Sequence, residues 1–387
     1  MARPTETPSA RVCVLTPDAR GALAVVRVWG PRALEIADAV FRPARGVRLA
    51  ETPPDRPRFG RAGAGLGDEV VAVVVGGQTP QIEIHCHGGP APVALVVEAL
   101  IAAGAERRQP IAWVRHDARS LVAAEALVEL ARAPTLRSAE ILLEQAQGAL
   151  EREAAEIAGR AAADPLGAIK AVERLLARAA VGLKLVTGWT VALAGRPNVG
   201  KSRLLNALAG YDRAIVDPTP GTTRDVVTVR TAFDGWPVEL ADTAGLRDAD
   251  DATERAGIAL ARARHAEADL TLLVLDRSEP LTELDGALRE STLGSGGLVV
   301  ATKCDLPAAW RPGEDAAVTV AVSAVSGDGL ERLASAVTRR LVPAPPPPGA
   351  GVPFRPAHVR RLESALRALK ATDPAGAVAC LTGWVGS

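Results

Sequence analysis

The residues with the clearest chemistry form one glycine-rich segment that matches the pattern GxxxxGK[ST] in full, Gly195-Arg196-Pro197-Asn198-Val199-Gly200-Lys201-Ser202. Its glycines allow main-chain N–H groups to surround a phosphate, and a helix that follows would direct its N-terminus at the same anion. Lys201 would bring a positive charge to the outer phosphates, and the Ser202 hydroxyl would bind Mg²⁺. The segment therefore predicts a nucleoside triphosphate site with magnesium; the alternative is a glycine-rich turn with an ion-paired lysine.

Four shorter segments downstream have the order and spacing of a guanine-nucleotide switch protein. Asp242-Thr243-Ala244-Gly245 would place a carboxylate near the metal and an N–H near the γ-phosphate, and a threonine of Gly221-Thr222-Thr223-Arg224-Asp225 would complete the Mg²⁺ shell. The carboxylate that ends Thr302-Lys303-Cys304-Asp305 can accept hydrogen bonds from N1–H and the exocyclic amine of guanine, a donor pair that adenine lacks. A main-chain N–H at Ser323-Ala324 would support the base. These segments predict GTP and GDP as the ligands.

The residues expected to contact the nucleotide come from these segments and the positions beside them. They are Asn198, Val199, Gly200, Lys201, Ser202, Arg203, Asp217, Pro218, Thr219, Pro220, Gly221, Thr222, Thr223, Asp242, Thr243, Ala244, Gly245, Thr302, Lys303, Cys304, Asp305, Ser323, Ala324 and Val325. Ser202 and Thr223 are the expected Mg²⁺ ligands.

The elements that must hold these segments alternate between strand, glycine-rich loop and helix from Trp189 onwards. Six apolar runs are expected to be strands, at 191–194, 226–231, 238–241, 270–275, 298–302 and 318–322. Such alternation predicts a mostly parallel sheet with helices on both faces, as in a Ras-like P-loop GTPase domain.

The rest of the chain has two other patterns. The N-terminal part has runs expected to be strands at 23–28, 70–75 and 81–85 and a helix at 92–103. The stretch 117–185 has apolar residues at helical spacing and predicts a helical bundle. A proline run after Leu341 predicts a stiff linker, and one further helix is expected at 358–369. The fold class is therefore α/β multidomain. The predicted parts are an N-terminal α+β domain (1–116), a helical domain in two parts (117–186 and 352–387), the inserted GTPase domain (187–342) and a proline-rich linker (343–351).

The composition limits the class of protein. With 45 basic and 45 acidic residues among 387, the chain has no overall positive field with which to bind nucleic acid. Its 48% hydrophobic content excludes wholesale disorder, and its four dispersed cysteines argue against a disulfide framework or a structural zinc site. No apolar run approaches the length of a membrane span. We therefore expect a soluble cytoplasmic protein that does not enter a membrane.

Two N-terminal segments extend the picture beyond the GTPase pattern, Gly21-Ala22-Leu23-Ala24-Val25-Val26-Arg27-Val28-Trp29-Gly30 and Ile82-Glu83-Ile84-His85-Cys86-His87-Gly88-Gly89. With these segments and a helical block interrupted by a GTPase domain, the chain resembles the tRNA-modification GTPase family MnmE/TrmE. The resemblance implies modification of the wobble uridine (position 34) of tRNA together with an FAD-dependent MnmG/GidA-type partner. It also implies a homodimer, a 5-formyltetrahydrofolate site between paired N-terminal domains, and GTP hydrolysis stimulated by K⁺ through dimerisation of the GTPase domains.

The resemblance also assigns roles to particular residues. Glu254 matches the family glutamate that orients the attacking water, and Arg27 and Glu83 match family folate-contact positions. Thr302 stands where the family usually has asparagine. The positions that match the family's K⁺ contacts are Asn198, Asp217, Thr219 and Thr222.

Other features depart from the family pattern. Typical members end in Cys-x-Gly-Lys, but Cys380 has no glycine–lysine pair at the matching offset and is expected to be a buried structural cysteine. This departure leaves an alternative open, a regulatory or ribosome/RNA-assembly GTPase that kept the switch but lost the folate-dependent modification site. The C-terminal part also contains four arginines, Arg355, Arg360, Arg361 and Arg367. They form either a tRNA-facing surface or a solvated helix face, and the sequence leaves both alternatives open.

Overall fold

The structure is a computed structural model that describes residues 10–16, 21–76, 79–210, 228–242, 268–311 and 319–384. Its packing divides the chain into two units, Met1–Arg119 and Ser120–Ser387. The finer boundaries within the second unit stay predictions. Within the described residues, no helix combines the length and the apolar character that a membrane span requires.

A mixed sheet with helices against it forms the first unit. The elements described there are β1 (Arg11–Val14), β2 (Leu23–Trp29), α1 (Ala33–Val40), β3 (Phe41–Pro43), a 3₁₀ turn (Leu49–Glu51), β4 (Arg58–Ala62), β5 (Asp68–Val75), β6 (Gln81–His87), α2 (Pro90–Ala102), β7 (Glu106–Arg107) and α3 (Pro110–Asp117). The strand order is β3-β4-β5-β6-β2-β1-β7, and only the β1–β7 pair is parallel.

Alternation along the strands explains which face of this sheet is buried. Val26 of β2 and Ile82 and Ile84 of β6 point to one face and pack with Ile36 of α1 and Leu100 of α2 in one apolar core. The residues between them point to the other face, because successive side chains of a strand alternate in direction. Arg27 and Glu83 therefore share the face opposite this core.

The second unit combines helices with a second sheet. Its elements are α4 (Leu121–Leu130), α5 (Leu136–Ala146), α6 (Ala149–Arg160), α7 (Pro165–Gly182), β8 (Trp189–Ala194), α8 (Lys201–Ala209), β9 (Thr228–Phe233), β10 (Trp236–Asp242), β11 (Leu270–Asp276), α9 (Glu283–Gly294), β12 (Leu298–Thr302), β13 (Thr319–Ala321), α10 (Leu330–Leu341), α11 (Pro356–Lys370) and α12 (Pro374–Thr382). The sheet has the order β13-β12-β11-β8-β10-β9, and every neighbouring pair is parallel except β9 with β10. The predicted fold class is confirmed.

The helices before and after the sheet share one core. Leu142, Leu150 and Leu175 of the earlier helices pack with Leu362 and Leu381 of the later ones. The chain enters the later helices along a proline-rich stretch whose end is held by side chains of the earlier helices, Glu144, Gln145, Glu153 and Arg178. The amide of the fully buried Gln145 donates to Ala350 O at 3.1 Å and accepts from Val352 N at 3.0 Å.

The helix expected at 358–369 is present as α11, but a second helix, α12, was not predicted. A break separates the two. Thr372 adopts a left-handed conformation with φ 59°, and the Asp373 side chain caps α12 by accepting from Gly376 N. Pro374 then occupies the first helical position, where a missing N–H has no cost. These three local features end one helix and begin the next.

Candidate nucleotide-binding site

The glycine-rich segment forms the loop that joins β8 to α8. Gly195 has φ 136°, and a Cβ there would lie 2.2 Å from Val274 O of the neighbouring strand, so only glycine fits. Gly200 has φ 99° and Asn198 has φ 65°. Three left-handed residues within six positions curl the backbone so that α8 begins directly at Lys201. The predicted strand–loop–helix arrangement is therefore present.

The ammonium of Lys201 is held across this loop. Its Nζ donates to Gly195 O at 2.8 Å and to Arg196 O at 2.7 Å, and the residue is 5% exposed. Burial of a lysine is costly unless its charge is paired or hydrogen-bonded. Here two main-chain carbonyls orient the charge at the N-terminal end of α8, where the helix dipole also favours an anion.

Thr302 ties the loop to the sheet. At the end of β12 it is 3% exposed, and its Oγ1 lies 2.6 Å from Val199 O and 3.0 Å from Leu275 O. Its hydroxyl proton can be donated to the loop carbonyl while the side chain stays packed against β11. Thr302, which is expected beside the guanine base, therefore also holds the loop that joins β8 to α8, called the phosphate loop below.

Asp305 is exposed and follows Thr302 by three positions. A hydrogen bond from the Ser323 side chain is the main cause that lowers the pKa of Asp305 below its ordinary value, so the carboxylate stays ionised. Ser323 itself is fully buried, and its Oγ accepts from Val325 N at 3.2 Å and Ser326 N at 3.1 Å. The structure brings the two predicted base-binding segments together in this way.

Two acidic residues of the site were missed from the sequence. Asp276, at the end of β11, forms an ion pair with Lys303 and accepts from Ser278 N at 2.8 Å. Asp285, in the first turn of α9, forms an ion pair with Arg196 at 2.9 Å. The Thr282-x-x-Asp285 spacing is a capping-box signal that could have located the helix start, although not its ionic partner.

Several predicted site residues lie wholly or partly outside the described ranges. Asp242 ends β10 opposite Leu193 of β8, so the chain position is adjacent to the phosphate loop, but its side chain lies outside the description. The residues that lie wholly outside the described ranges are Asp217, Pro218, Thr219, Pro220, Gly221, Thr222, Thr223, Thr243, Ala244, Gly245 and Glu254.

The two predicted folate-contact residues meet in the first unit. Arg27 and Glu83 are direct cross-strand partners and form an ion pair, while Arg27 Nη1 donates to Gln81 Oε1 at 2.9 Å. The guanidinium also lies over the Trp113 ring, 4.3 Å from its centroid. Arg27 Nε is buried and has no hydrogen-bond partner. Beneath this cluster, burial raises the pKa of Cys13 to about 11 despite the nearby arginine, so this thiol stays protonated.

The C-terminal arginines are divided between internal and exposed positions. Arg355 forms an ion pair with Glu129 at 2.6 Å, and Arg361 donates to Cys380 O at 2.6 Å. Arg360 and Arg367 lie toward the surface of α11. Two of the four therefore hold helices together, which weakens the tRNA-facing alternative for this group. Cys380 is only partly buried and packs against the helical core.

Comparisons with known proteins cover both units. The family model described as "GTP-binding protein TrmE N-terminus" matches residues 12–110, and the model described as "50S ribosome-binding GTPase" matches residues 190–303. Among solved structures, the G domain of the T. maritima FeoB iron transporter is 28% identical over 39% of this chain and 98% of that chain, with a TM-score of 0.30.

Longer matches are found among curated proteins. The tRNA modification GTPase MnmE of Chloroflexus aurantiacus is 36% identical and covers 94% of this chain and 90% of its own length. The tRNA modification GTPase MnmE of Thermus thermophilus is 36% identical and covers 86% of this chain and 82% of its own length. Because this similarity runs through both units and most of each relative, the chain belongs to the tRNA modification GTPase MnmE family.

Proposed function

We propose that the chain binds GTP at the β8–α8 loop, hydrolyses it to GDP and phosphate, and takes part in modification of the wobble uridine of tRNA. The observation that carries the nucleotide part is the position of Lys201, whose buried ammonium is oriented by Gly195 O and Arg196 O at the start of α8. A buried positive charge at this position would stabilise a bound phosphate. The relatives' printed names supply the link to tRNA modification.

Guanine selection rests on Asp305 and the main chain near Ser323. An ionised carboxylate accepts two hydrogen bonds at once, which suits N1–H and the exocyclic amine of guanine. The Ser323 hydroxyl lowers the pKa of this carboxylate, and Ser323 Oγ itself accepts from two main-chain N–H groups, which supports an ionised acceptor at the base-binding position.

The loop also suits the ions that the family uses. Ser202 is the second residue of α8, next to Lys201, and its hydroxyl would help to hold Mg²⁺; Thr223 would be the second protein ligand. Mg²⁺ neutralises charge on the β- and γ-phosphates when it is bound. Asn198, held in the left-handed conformation, would hold K⁺ with Asp217, Thr219 and Thr222. Glu254 would orient the attacking water.

The nucleotide proposal is tested by binding and hydrolysis with a matched lysine control. Lys201→Ala should lose measurable GTP binding in a fluorescent-nucleotide titration, because the charge at the outer phosphates disappears. Lys170→Ala changes an exposed lysine of α7 and should bind and hydrolyse GTP like the wild type. Equal GTP affinity of Lys201→Ala and wild type would contradict the assignment.

Folate binding is proposed on the Arg27–Glu83–Trp113 cluster. The unused Arg27 Nε is a buried donor without a partner, and Trp113 offers an aromatic face beside it, so the cluster fits a planar ligand with polar edges such as 5-formyltetrahydrofolate. We expect micromolar or tighter binding by calorimetry and a loss of at least tenfold for Glu83→Gln. Arg32→Gln, at an exposed ion pair of the same unit, is the control.

A homodimer through the first unit is proposed from the sheet face that carries Arg27. Val71 and Val73 of β5 and Val25 of β2 are only half-buried there, and Leu23 and Phe59 are 62% and 57% exposed. A second copy would remove this apolar face from water. Light scattering should give twice the 40.0 kDa chain mass at micromolar concentration. A monomer would overturn the dimer and the shared folate site with it.

The cellular role is tested by deleting the gene and measuring wobble nucleosides in bulk tRNA by mass spectrometry. Loss of a modified uridine at position 34 supports the proposed role. We propose that an FAD-dependent MnmG/GidA-type partner acts with this chain, and co-purification of such a protein with the tagged chain tests this part. Restoration by wild type but not by Glu83→Gln would connect the role to the folate cluster. Unchanged nucleosides would favour the regulatory or ribosome/RNA-assembly alternative.

A further inference from the structure

The edge of the first sheet carries an unusual concentration of positive charge. Residues 42–61 contain six arginines and two acidic residues, a net charge of +4 in a chain whose net charge is 0. The stretch forms β3, the 3₁₀ turn and most of β4, and β3 is the outermost strand of the sheet. We call this group the arginine edge; its arginines are Arg42, Arg45, Arg48, Arg56, Arg58 and Arg61.

The pairing of the two strands gathers these side chains. Arg42 and Arg61 are direct cross-strand partners, an arrangement that normally costs stability because like charges face each other. Ala44 N donates to Phe59 O at 3.1 Å, which continues the pairing beyond β3 and brings Arg45 next to Arg58 at the start of β4. Because side chains alternate along a strand, this second pair lies on the face opposite Arg42 and Arg61. Along β4, Arg58 and Arg61 are about 10 Å apart, from the rise per residue of a strand.

Only part of this charge is neutralised within the chain. Arg48 pairs with Asp38, and Arg61 pairs with Glu69 at 2.9 Å. In the described part of the chain, the other four arginines of the edge form no ion pair with a carboxylate. Arg45 and Arg56 are exposed in the connections that flank β3 and β4.

We propose that the arginine edge is an interaction surface for the phosphate backbone of RNA. These guanidinium groups lie on both faces of one sheet edge, and four of them have no carboxylate partner within the described ranges, so a phosphate backbone that passes along the edge would meet positive charge and hydrogen-bond donors. A surface of this kind positions a nucleic acid without reading its sequence. The proposal rests on the proposed function for its partner, because RNA is the polyanion that a tRNA-modifying protein must hold.

The test is binding of bulk tRNA to the full chain across a KCl series. Arg45→Glu/Arg56→Glu should bind about tenfold or more weakly at 100 mM salt, with a salt slope reduced by about 1.5, since each lost phosphate contact lowers the slope by about 0.7–0.9. Arg107→Glu/Arg115→Glu makes the same charge change at β7 and α3, away from the edge strand β3, and should lose much less. Thermal melting checks that both variants fold.

The other outcomes would contradict the proposal, and they separate a failure of the arginine edge from a failure of the proposed tRNA function. Wild-type affinity in Arg45→Glu/Arg56→Glu, with GTP hydrolysis intact, overturns the arginine edge alone. An equal loss in both double variants shows a general charge effect and also overturns it. Absence of tRNA binding by the wild type overturns the tRNA part of the proposed function and the edge together. Binding to anionic lipid vesicles in preference to tRNA would assign the surface to a membrane instead.

Discussion

Arg196 of the phosphate loop and Asp285 of α9 are joined by a charged hydrogen bond of 2.9 Å between Nε and Oδ1. The main chain of the same arginine accepts from Lys201 Nζ, so one residue links the lysine that we propose to bind phosphate to helix α9. Asp285 is 1% exposed, and its second oxygen accepts from Thr282 N at 3.0 Å and Thr282 Oγ1 at 2.8 Å. The phosphate loop is therefore anchored to the buried carboxylate of Asp285, both of whose oxygens accept hydrogen bonds.

Arg196→Ala should weaken GDP and GTP binding about tenfold while guanosine, which lacks phosphates, binds as before. The reason is that the loop carbonyl that orients Lys201 loses its anchor. The free energy of unfolding should fall by about 1.5–3 kcal/mol, the range for a hydrogen bond to a charged group, and toward the lower end because Arg196 is partly exposed. Nucleotide titrations and urea unfolding measure the two effects.

The control for this variant is Thr135→Ala, which removes the side-chain cap of α5 and touches neither Arg196 nor Asp285. It should lower stability by about 1 kcal/mol and leave the ratio of GDP to guanosine affinity unchanged. A matching change of that ratio in Thr135→Ala would show that Arg196 acts only through general stability. The ratio of the two affinities is therefore the deciding quantity.

The same pair predicts a pH dependence. Burial acts to raise the pKa of Asp285, but hydrogen bonds from Thr282 and Arg196 outweigh it, so the pKa lies below its ordinary value. A carboxyl with a lowered pKa contributes stability above its unfolded pKa of about 3.9 and loses it as the pH falls through the folded value. The stability difference between wild type and Arg196→Ala should be constant above about pH 5 and shrink below pH 4.

Thr302→Val should weaken nucleotide binding, although the two side chains have nearly the same shape. Valine removes the donor and leaves Val199 O buried without its partner, a cost of about 1–3 kcal/mol. Because that carbonyl belongs to the phosphate loop, we expect about tenfold weaker GDP binding in a titration. Thr302→Ser keeps the hydroxyl and should bind nearly as tightly as the wild type. Equal losses in both variants would mean that packing matters and the hydroxyl does not.

Asp305→Asn should exchange guanine preference for xanthine preference. The amide offers a donor where the carboxylate offered only acceptors, which matches xanthine and opposes guanine. Competition between GTP and xanthosine triphosphate measures the change. Ser323→Ala should raise the pKa of Asp305 toward its ordinary value and weaken GTP without favouring xanthosine triphosphate, since the carboxylate itself remains. Unchanged selectivity in Asp305→Asn would remove this residue from base recognition.

Local signals predicted much of the GTPase part from sequence because each acts over a few residues. The backbone of the loop requires Gly195 and Gly200, the proposed phosphate charge explains Lys201, and β12 lies at Leu298–Thr302 as expected. Long-range partners were not predictable in the same way. Asp285 is 89 residues from Arg196, and no short pattern connects them. The capping box at Thr282 shows where α9 starts, but only the fold shows what its carboxylate contacts.

The first unit shows the same limit. The apolar runs of β5 and β6 were predicted, whereas β3 and β4 were not, because Arg58, Phe59, Gly60 and Arg61 lack the β-branched residues that favour strands. Pairing with β5 on one side of β4 and β3 on the other supplies the missing stability. The strand conformation of β3 and β4, which carry the arginine edge, therefore depends on tertiary contacts and not on local sequence.

The last prediction concerns the cation that speeds hydrolysis. In GTPases that use an arginine finger, a positive charge opposes the charge that develops on the transferred phosphoryl group, and we propose that K⁺ at Asn198 has this role here. Hydrolysis should be about tenfold or more faster in KCl than in NaCl at equal ionic strength, since Na⁺ is too small for a cage of carbonyl and amide oxygens. Glu254→Ala should abolish hydrolysis in either salt, because its proposed role is to orient water.

Asn198→Gly isolates the side chain in this prediction. Asn198 has φ 65°, a conformation that strains alanine but that glycine adopts freely, so this variant removes the amide oxygen without disturbing the loop. We expect it to bind GDP as tightly as the wild type and to hydrolyse GTP at the same slow rate in both salts. If Asn198→Gly keeps the full stimulation by KCl, the cation is bound elsewhere. If the wild type itself shows equal rates in the two salts, this chain hydrolyses GTP without the potassium mechanism, although Asn198 is in place.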